Sequence, residues 1–134
     1  MNYWLIKSEP STYSIEDMEK EKTTFWSGVR NYAARNNLKA MKKGDLCLFY
    51  HSVNNPAVVG LVEVCKESYQ DTTTEETAWV VVDVKFKKKF KNPLTLPAIK
   101  GLPELAQMDL LRLSRLSVQQ VKKAEFDFII SQVV

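Results

Sequence analysis

Leu46-Cys47-Leu48-Phe49-Tyr50-His51-Ser52, followed by Asn54-Asn55-Pro56 and then by Ala57-Val58-Val59-Gly60-Leu61-Val62-Glu63-Val64, decides the fold. The first run is apolar and turns polar only at its last residues, as a buried strand does when it reaches the edge of a core. Asparagine tolerates left-handed backbone and proline fixes φ, so the middle piece reads as a turn. The second run is a valine-rich strand, with Gly60 marking a bulge or a close approach by another segment.

Toward the N-terminus, Tyr3-Trp4-Leu5-Ile6-Lys7-Ser8 is a β-prone run that stops at Glu9-Pro10, where proline has no ladder donor. Ser14-Ile15-Glu16-Asp17 has the form of a capping box and predicts a short helix to about Lys20. Thr23 to Trp26 reads as a brief strand, and Asn31 to Met41 as a helix stopped by Gly44. Toward the C-terminus, Ala78 to Phe86 predicts a central strand that runs into Lys85, Lys87, Lys88, Lys89 and Lys91. Asn92-Pro93 and Leu96-Pro97 predict breaks. Leu102 to Leu111 predicts a helix with Pro103 in its first turn, Leu116 to Val121 a strand with one wet face, and Ala124 to Ile130 a closing helix. The sum is an α+β domain of about six strands, mostly antiparallel, forming a closed or nearly closed barrel with short helices at its ends.

The chain has 134 residues, 45% of them hydrophobic and 26% charged, as expected of one globular domain spanning 1–134. No apolar run reaches the ~18 residues of a membrane span, so no membrane partner is expected. The opening residues place their charge after the apolar run and offer no cleavage site, unlike a signal peptide. A cytoplasmic protein is expected, or a nuclear one in a eukaryote. The net charge of +3 permits a polyanionic partner without demanding one. Cys47 and Cys65 read as buried free thiols of a reducing compartment. With His51 the sole histidine, neither a metal nor a cofactor is expected.

The candidate site centres on Phe25-Trp26-Ser27-Gly28-Val29-Arg30-Asn31-Tyr32. Trp26 offers a flat face for a base, and Gly28 lets backbone approach a ligand. Arg30 suits phosphate, and Asn31 is a two-sided hydrogen-bonding group. This loop empties into a helix N-terminus, where free N–H groups favour an acceptor-rich ligand. Each residue also has a plain structural reading. Trp26 could be core, Ser8 a turn serine and Asn31 an N-cap. Arg30 could be an ion-pair partner of Asp45 or Glu9, and Lys7 of Glu9 or Asp17. Two alternatives stand beside a base reader: an enzyme acting on a nucleotide or small molecule, and an interaction module whose exposed aromatics bind protein. For the first, a hydrolytic site with His51 as base for Ser52 or Cys47 is disfavoured, because adjacent strand residues point apart and no Gly-x-Ser-x-Gly elbow exists.

Several ordered segments carry a resemblance: Trp4 to Pro10, Trp26 to Asn36, Gly44-Asp45, Phe49 to Ser52 and Arg115 to Gln119. Together they resemble the EVE domain, of the PUA-like superfamily, over nearly the whole chain. The chain departs from the usual pattern at Gln120 and Phe126 and has a short connection after Tyr69. The resemblance implies a PUA-like pseudo-barrel and a non-catalytic module that reads a modified base flipped into an aromatic-lined pocket. The related YTH domains hold methylated adenine in RNA. For the EVE domain the implied partner is DNA rather than RNA, with a modified cytosine or similar base. The resemblance carries Lys7, Ser8 and Trp26 over as pocket positions and places Leu113 and Arg115 near them. With the residues' own chemistry, the candidate pocket is Ser8, Trp26, Gly28, Val29, Asn31, Tyr50, His51, Ser52 and Leu113, and Lys7, Arg30, Lys88 and Arg115 are the candidate phosphate or rim contacts.

Overall fold

The computed structural model describes residues 1–133; Val134, the end of the expected span, lies outside the described residues. Six strands form one mixed sheet: β1 (Tyr3–Ser8), β2 (Thr23–Phe25), β3 (Leu46–His51), β4 (Ala57–Gln70), β5 (Val80–Thr95) and β6 (Val118–Val121). Their order is β2-β5-β4-β3-β1-β6. Only the β1–β3 pairing is parallel; the other four are antiparallel. The sheet is open, so the α+β pseudo-barrel is present without the closure that the strand count permitted.

Strand alternation divides the apolar residues between two clusters. Trp4 and Ile6 of β1 join Cys47 and Phe49 of β3 in one, with Ile15 and Met18 of α1 (Ile15–Glu21) and Ala34 and Leu38 of α2 (Tyr32–Ala40). Leu5, Leu48 and Tyr50 join the other. It contains Ile99 of α3 (Leu96–Lys100), Leu110 of α4 (Asp109–Arg112), and Phe126 and Ile129 of α5 (Lys123–Val133). Being covered on both faces is why β1 and β3 read as nearly continuous apolar runs.

Local chemistry explains the helix starts. Ser14 and Asp17 form the reciprocal capping box, with Asp17 N–H donating to Ser14 Oγ at 3.1 Å and Ser14 N–H to Asp17 Oδ2 at 2.9 Å. Gly60 is both things the sequence allowed. The ladder shifts register beside it, and a Cβ there would collide with the Ile15 side chain and lie 2.9 Å from Lys88 O. The absent side chain leaves room for the Ile15 side chain of α1 over β4.

The C-terminal half departs from expectation. Pro93 does not end β5. It lies in a bulge between Lys89, which faces Gly60, and Leu94, which faces Val58, where no ladder donor is required. Leu96-Pro97 opens α3 rather than breaking structure, because Thr95 Oγ1 accepts the Ala98 N–H and proline suits a first helical turn. The helix expected over Leu102 to Leu111 divides into a 3₁₀ turn at Pro103–Leu105 and α4, with Met108 extended and buried between them. β4 runs six residues past Val64 to pair with the start of β5. Gln119 is not on a wet face: it is fully buried, and its Nε2 donates to Leu116 O at 2.8 Å and Leu113 O at 3.3 Å.

Candidate nucleic-acid interface

The loop between β2 and α2 is held at both ends and in its middle. Trp26 N–H donates to Val82 O at 2.8 Å, extending the β2–β5 pairing by one residue. Gly28 has φ 80°, a left-handed backbone that a residue with a Cβ enters only at a cost. Its N–H donates to Asp71 Oδ2 at 3.3 Å, and Arg30 Nη1 donates to the same oxygen at 3.0 Å. Asn31 Oδ1 accepts Ala34 N–H at 3.0 Å and caps α2.

This loop lines a cavity of about 510 Å³ together with the end of β1, the turn after it, and the α1–β2 junction. Of the residues expected from the sequence, Lys7, Ser8, Trp26, Gly28, Val29 and Arg30 line it. Trp26 is 9% exposed and belongs to the core as well as to the wall. Its ring meets Phe49 edge-on at 5.5 Å and Tyr13 at 6.1 Å. Ser8 Oγ donates to Tyr13 O at 2.7 Å, so its structural role is filled while it lines the cavity.

Arg30 and Lys7 are paired otherwise than expected. Arg30 takes neither Asp45 nor Glu9; its Nη1 is shared between Asp71 and Val29 O, and the guanidinium lies 5.7 Å from the Trp79 ring. Its side chain remains 39% exposed beside the cavity. Asp45 is occupied elsewhere, accepting Trp4 Nε1 at 3.0 Å and Lys42 N–H at 2.9 Å. Lys7 pairs with neither Glu9 nor Asp17: its Nζ donates to Ser114 O at 2.7 Å, and Asp17 accepts in the capping box.

Asn31, Tyr50, His51, Ser52, Leu113, Lys88 and Arg115 do not line this cavity. Tyr50 is buried in the second apolar cluster. His51 Nε2 accepts the Ile15 N–H at 3.1 Å, tying β3 to the start of α1. Burial lowers the His51 pKa, with the Glu16 charge opposing, which favours the neutral acceptor form. Ser52 N–H donates to Ser8 O at 3.0 Å. Leu113, 48% exposed, and Arg115, also exposed, belong to the segment before β6 that receives Lys7. Lys88 is exposed on β5, whose neighbours Lys85 and Lys87 pair with Glu63 at 3.3 and 3.4 Å and Lys89 with Glu16 at 3.0 Å. The basic run is thus partly neutralised.

Sequence reasoning missed Asp71, the residue that locks the loop. It has no exposed surface and accepts Thr73 N–H at 2.8 Å as well as the Thr73 hydroxyl. Burial alone would raise its pKa, but these bonds, with those from Arg30 and Gly28, hold it at about 2. Asp71-Thr72-Thr73 has the spacing of an Asx turn, the one local signal of a structured aspartate. Tyr13, Glu21 and Thr24 were missed as lining residues, while Phe25, inside the stretch the sequence pointed to, lines it as well. Burial raises the Tyr13 pKa, with Glu21 beside the hydroxyl adding to it, so this phenol keeps its proton.

Cys47 is fully buried, and burial pushes its thiol well above the ordinary value, which removes it as a nucleophile. Cys65 is half-buried rather than buried. Among the described residues no cluster of three or more His, Cys, Asp or Glu could hold a metal ion. No described helix is long and apolar enough to cross a membrane. A larger concavity of about 670 Å³ lies among the chain start, β6 and α5, but it contains none of the Trp26 to Asn31 loop.

Comparison with known proteins shows the family and the fold. The family model described as EVE domain matches residues 2–132. Thymocyte nuclear protein 1 of Gallus gallus is 39% identical over 164 aligned positions, covering 96% of this chain and 67% of that protein. A solved structure of human THYN1 protein in complex with 5-methylcytosine-containing DNA superposes with a TM-score of 0.93 at 36% identity, covering 98% of this chain and 96% of that one. A hypothetical protein from Leishmania major gives a TM-score of 0.93 at 44% identity, covering 98% and 93%.

Proposed function

The chain belongs to the EVE domain family, and from that premise we propose that it is a non-catalytic reader of modified DNA. In this reading it takes a flipped-out modified cytosine into the Trp26 cavity. The observation that carries it is that the loop most suited to a nucleotide lines a cavity of about 510 Å³, within the usual range of small-molecule sites. The 5-methylcytosine-containing DNA bound by the human relative supplies the ligand class.

The base stacks on the exposed margin of Trp26. Ser8 and Val29 flank it, and Gly28 gives its backbone access to the ring edge. Arg30, held by Asp71, and Lys7 face the phosphates at the mouth, with Lys88 and Arg115 further along the strand. A buried methyl adds about 0.8 kcal/mol, roughly a fourfold preference, before shape exclusion adds to it. Asn31 and His51 act through the fold, capping α2 and anchoring α1. In a eukaryotic cell the place of action would be the nucleus, where such DNA resides.

The test is binding of matched duplexes and RNAs that carry one 5-methylcytosine or one cytosine, across a salt series. Tighter binding to methylated DNA, weakened by Trp26→Phe, is the expected result. Equal, salt-sensitive binding to every probe would leave only surface charge and overturn the reading.

A further inference from the structure

Among the described residues lining the Trp26 cavity, Glu21 is the only carboxylate. It ends α1, the unfavourable end of a helix for a negative charge. The next residue, Lys22, turns the chain with φ 70°, a left-handed backbone uncommon outside glycine. That corner brings Glu21 and Thr24 to the same cavity. No lysine, arginine or histidine among the described residues forms an ion pair with Glu21. The Tyr13 hydroxyl stands beside Glu21 and Thr24 and donates to the Met18 sulfur at 3.7 Å, a weak acceptor.

We propose that Glu21 and Tyr13 read the hydrogen-bonding edge of the base and that Glu21 selects one that bears an exocyclic amino group. This rests on the base-reading function above. A carboxylate only accepts, so Glu21 matches the amino group of a cytosine. The phenol stays protonated and can donate to the adjacent ring nitrogen, while its oxygen can also accept, so Tyr13 holds the edge and Glu21 discriminates. Thymine carries the same methyl group but reverses both positions, presenting a carbonyl where cytosine has its amino group and an N–H where cytosine has an acceptor. Thymine in the cavity would set its carbonyl against Glu21, leaving both unpaired. Trp26 and the shape of the cavity sense the methyl; Glu21 and Tyr13 sense the edge.

The experiment uses three DNA duplexes whose central residue is 5-methylcytosine, cytosine or thymine, each opposite an abasic site, so that no base pair opens in any of them. Wild type is expected to bind 5-methylcytosine about tenfold or more tighter than thymine, the size of one good edge contact. Glu21→Gln, whose amide can donate, is expected to bring that ratio within about threefold, chiefly by gaining affinity for thymine. Tyr13→Phe is expected to lose affinity for 5-methylcytosine and thymine alike and to leave the ratio near its wild-type value. If wild type fails to prefer 5-methylcytosine over cytosine, the base-reading function itself is overturned. If that preference stands and the thymine ratio is unchanged in Glu21→Gln, only the assignment of Glu21 falls.

Discussion

Arg30 Nη1 and Asp71 Oδ2 stand 3.0 Å apart and bridge two segments 41 residues apart in sequence. The same oxygen receives the Gly28 amide, so one carboxylate sets both the glycine turn and the guanidinium of the candidate site. Asp71→Asn replaces an acceptor that holds several donors with an amide that satisfies fewer. It is expected to cost about 1–3 kcal/mol in stability and to weaken DNA binding by loosening the loop. Urea unfolding and binding on the same protein would check both.

Acid should expose the same contact. Folded Asp71 holds its carboxyl at about 2, below the ordinary 3.8, so the contribution is complete above pH 3.8 and disappears as pH falls through about 2. The stability gap between wild type and Asp71→Asn is therefore expected to close across that window. A gap that persists unchanged at pH 2 would mean that the bonds to Asp71 do not stabilise the fold through its charge.

Why this residue was illegible, when the loop it serves was not, is a matter of range. Trp26 to Asn31 reads locally: an aromatic, a glycine that needs positive φ, and a cap whose acceptor lies three residues from its donor. The capping box at Ser14 and the two-faced burial of β3 are local in the same sense. Asp71 acts on residues from which its own neighbours give no hint, and Glu9 and Asp45 are equally plausible in composition. The same limit hid Gln119, whose burial depends on the carbonyls of Leu113 and Leu116, and β5, which passes Pro93 because Leu94 is buried again on the far side of the bulge.

Trp26 serves the core and the cavity at once, and this decides how it must be tested. Nine-tenths of it is buried against Phe49 and Tyr13. Trp26→Ala is expected to lose about 3–5 kcal/mol, which would confuse unfolding with lost recognition. Trp26→Phe keeps an aromatic in the core while reducing the stacking face. It is expected to retain the fold by thermal melting and to weaken binding to methylated DNA several-fold.

His51 gives a pH signature at milder acidity. Its Nε2 accepts the Ile15 amide only when unprotonated, and burial lowers its pKa below the ordinary 6.5. The contribution is present above pH 6.5 and is lost as pH falls through the lower folded value. His51→Phe keeps a ring beside Phe49 but removes the acceptor, at an expected cost of about 1–3 kcal/mol near neutral pH. The difference from wild type should shrink on acidification; a difference independent of pH would assign the cost to packing alone.

Gly60 and Ile15 give the most direct test of how α1 is seated, and with it Glu21 at the far end of that helix. A methyl at position 60 would collide with Ile15 Cδ1 and press on Lys88 O at 2.9 Å. Gly60→Ala is expected to destabilise by about 1–3 kcal/mol, the cost of overpacking a filled core. Ile15→Val removes Cδ1 and alone costs about 0.5–1.5 kcal/mol. Combined, the two should cost less than their sum, because valine removes the Cδ1 contact while keeping a γ-carbon 2.8 Å from the new methyl. The Lys88 carbonyl does not move with Ile15, so the recovery is partial. Strict additivity in a double-mutant cycle would mean that α1 yields to the methyl by shifting as a body, and binding of methylated DNA should then fall in Gly60→Ala as the α1–β2 junction leaves its place in the cavity wall.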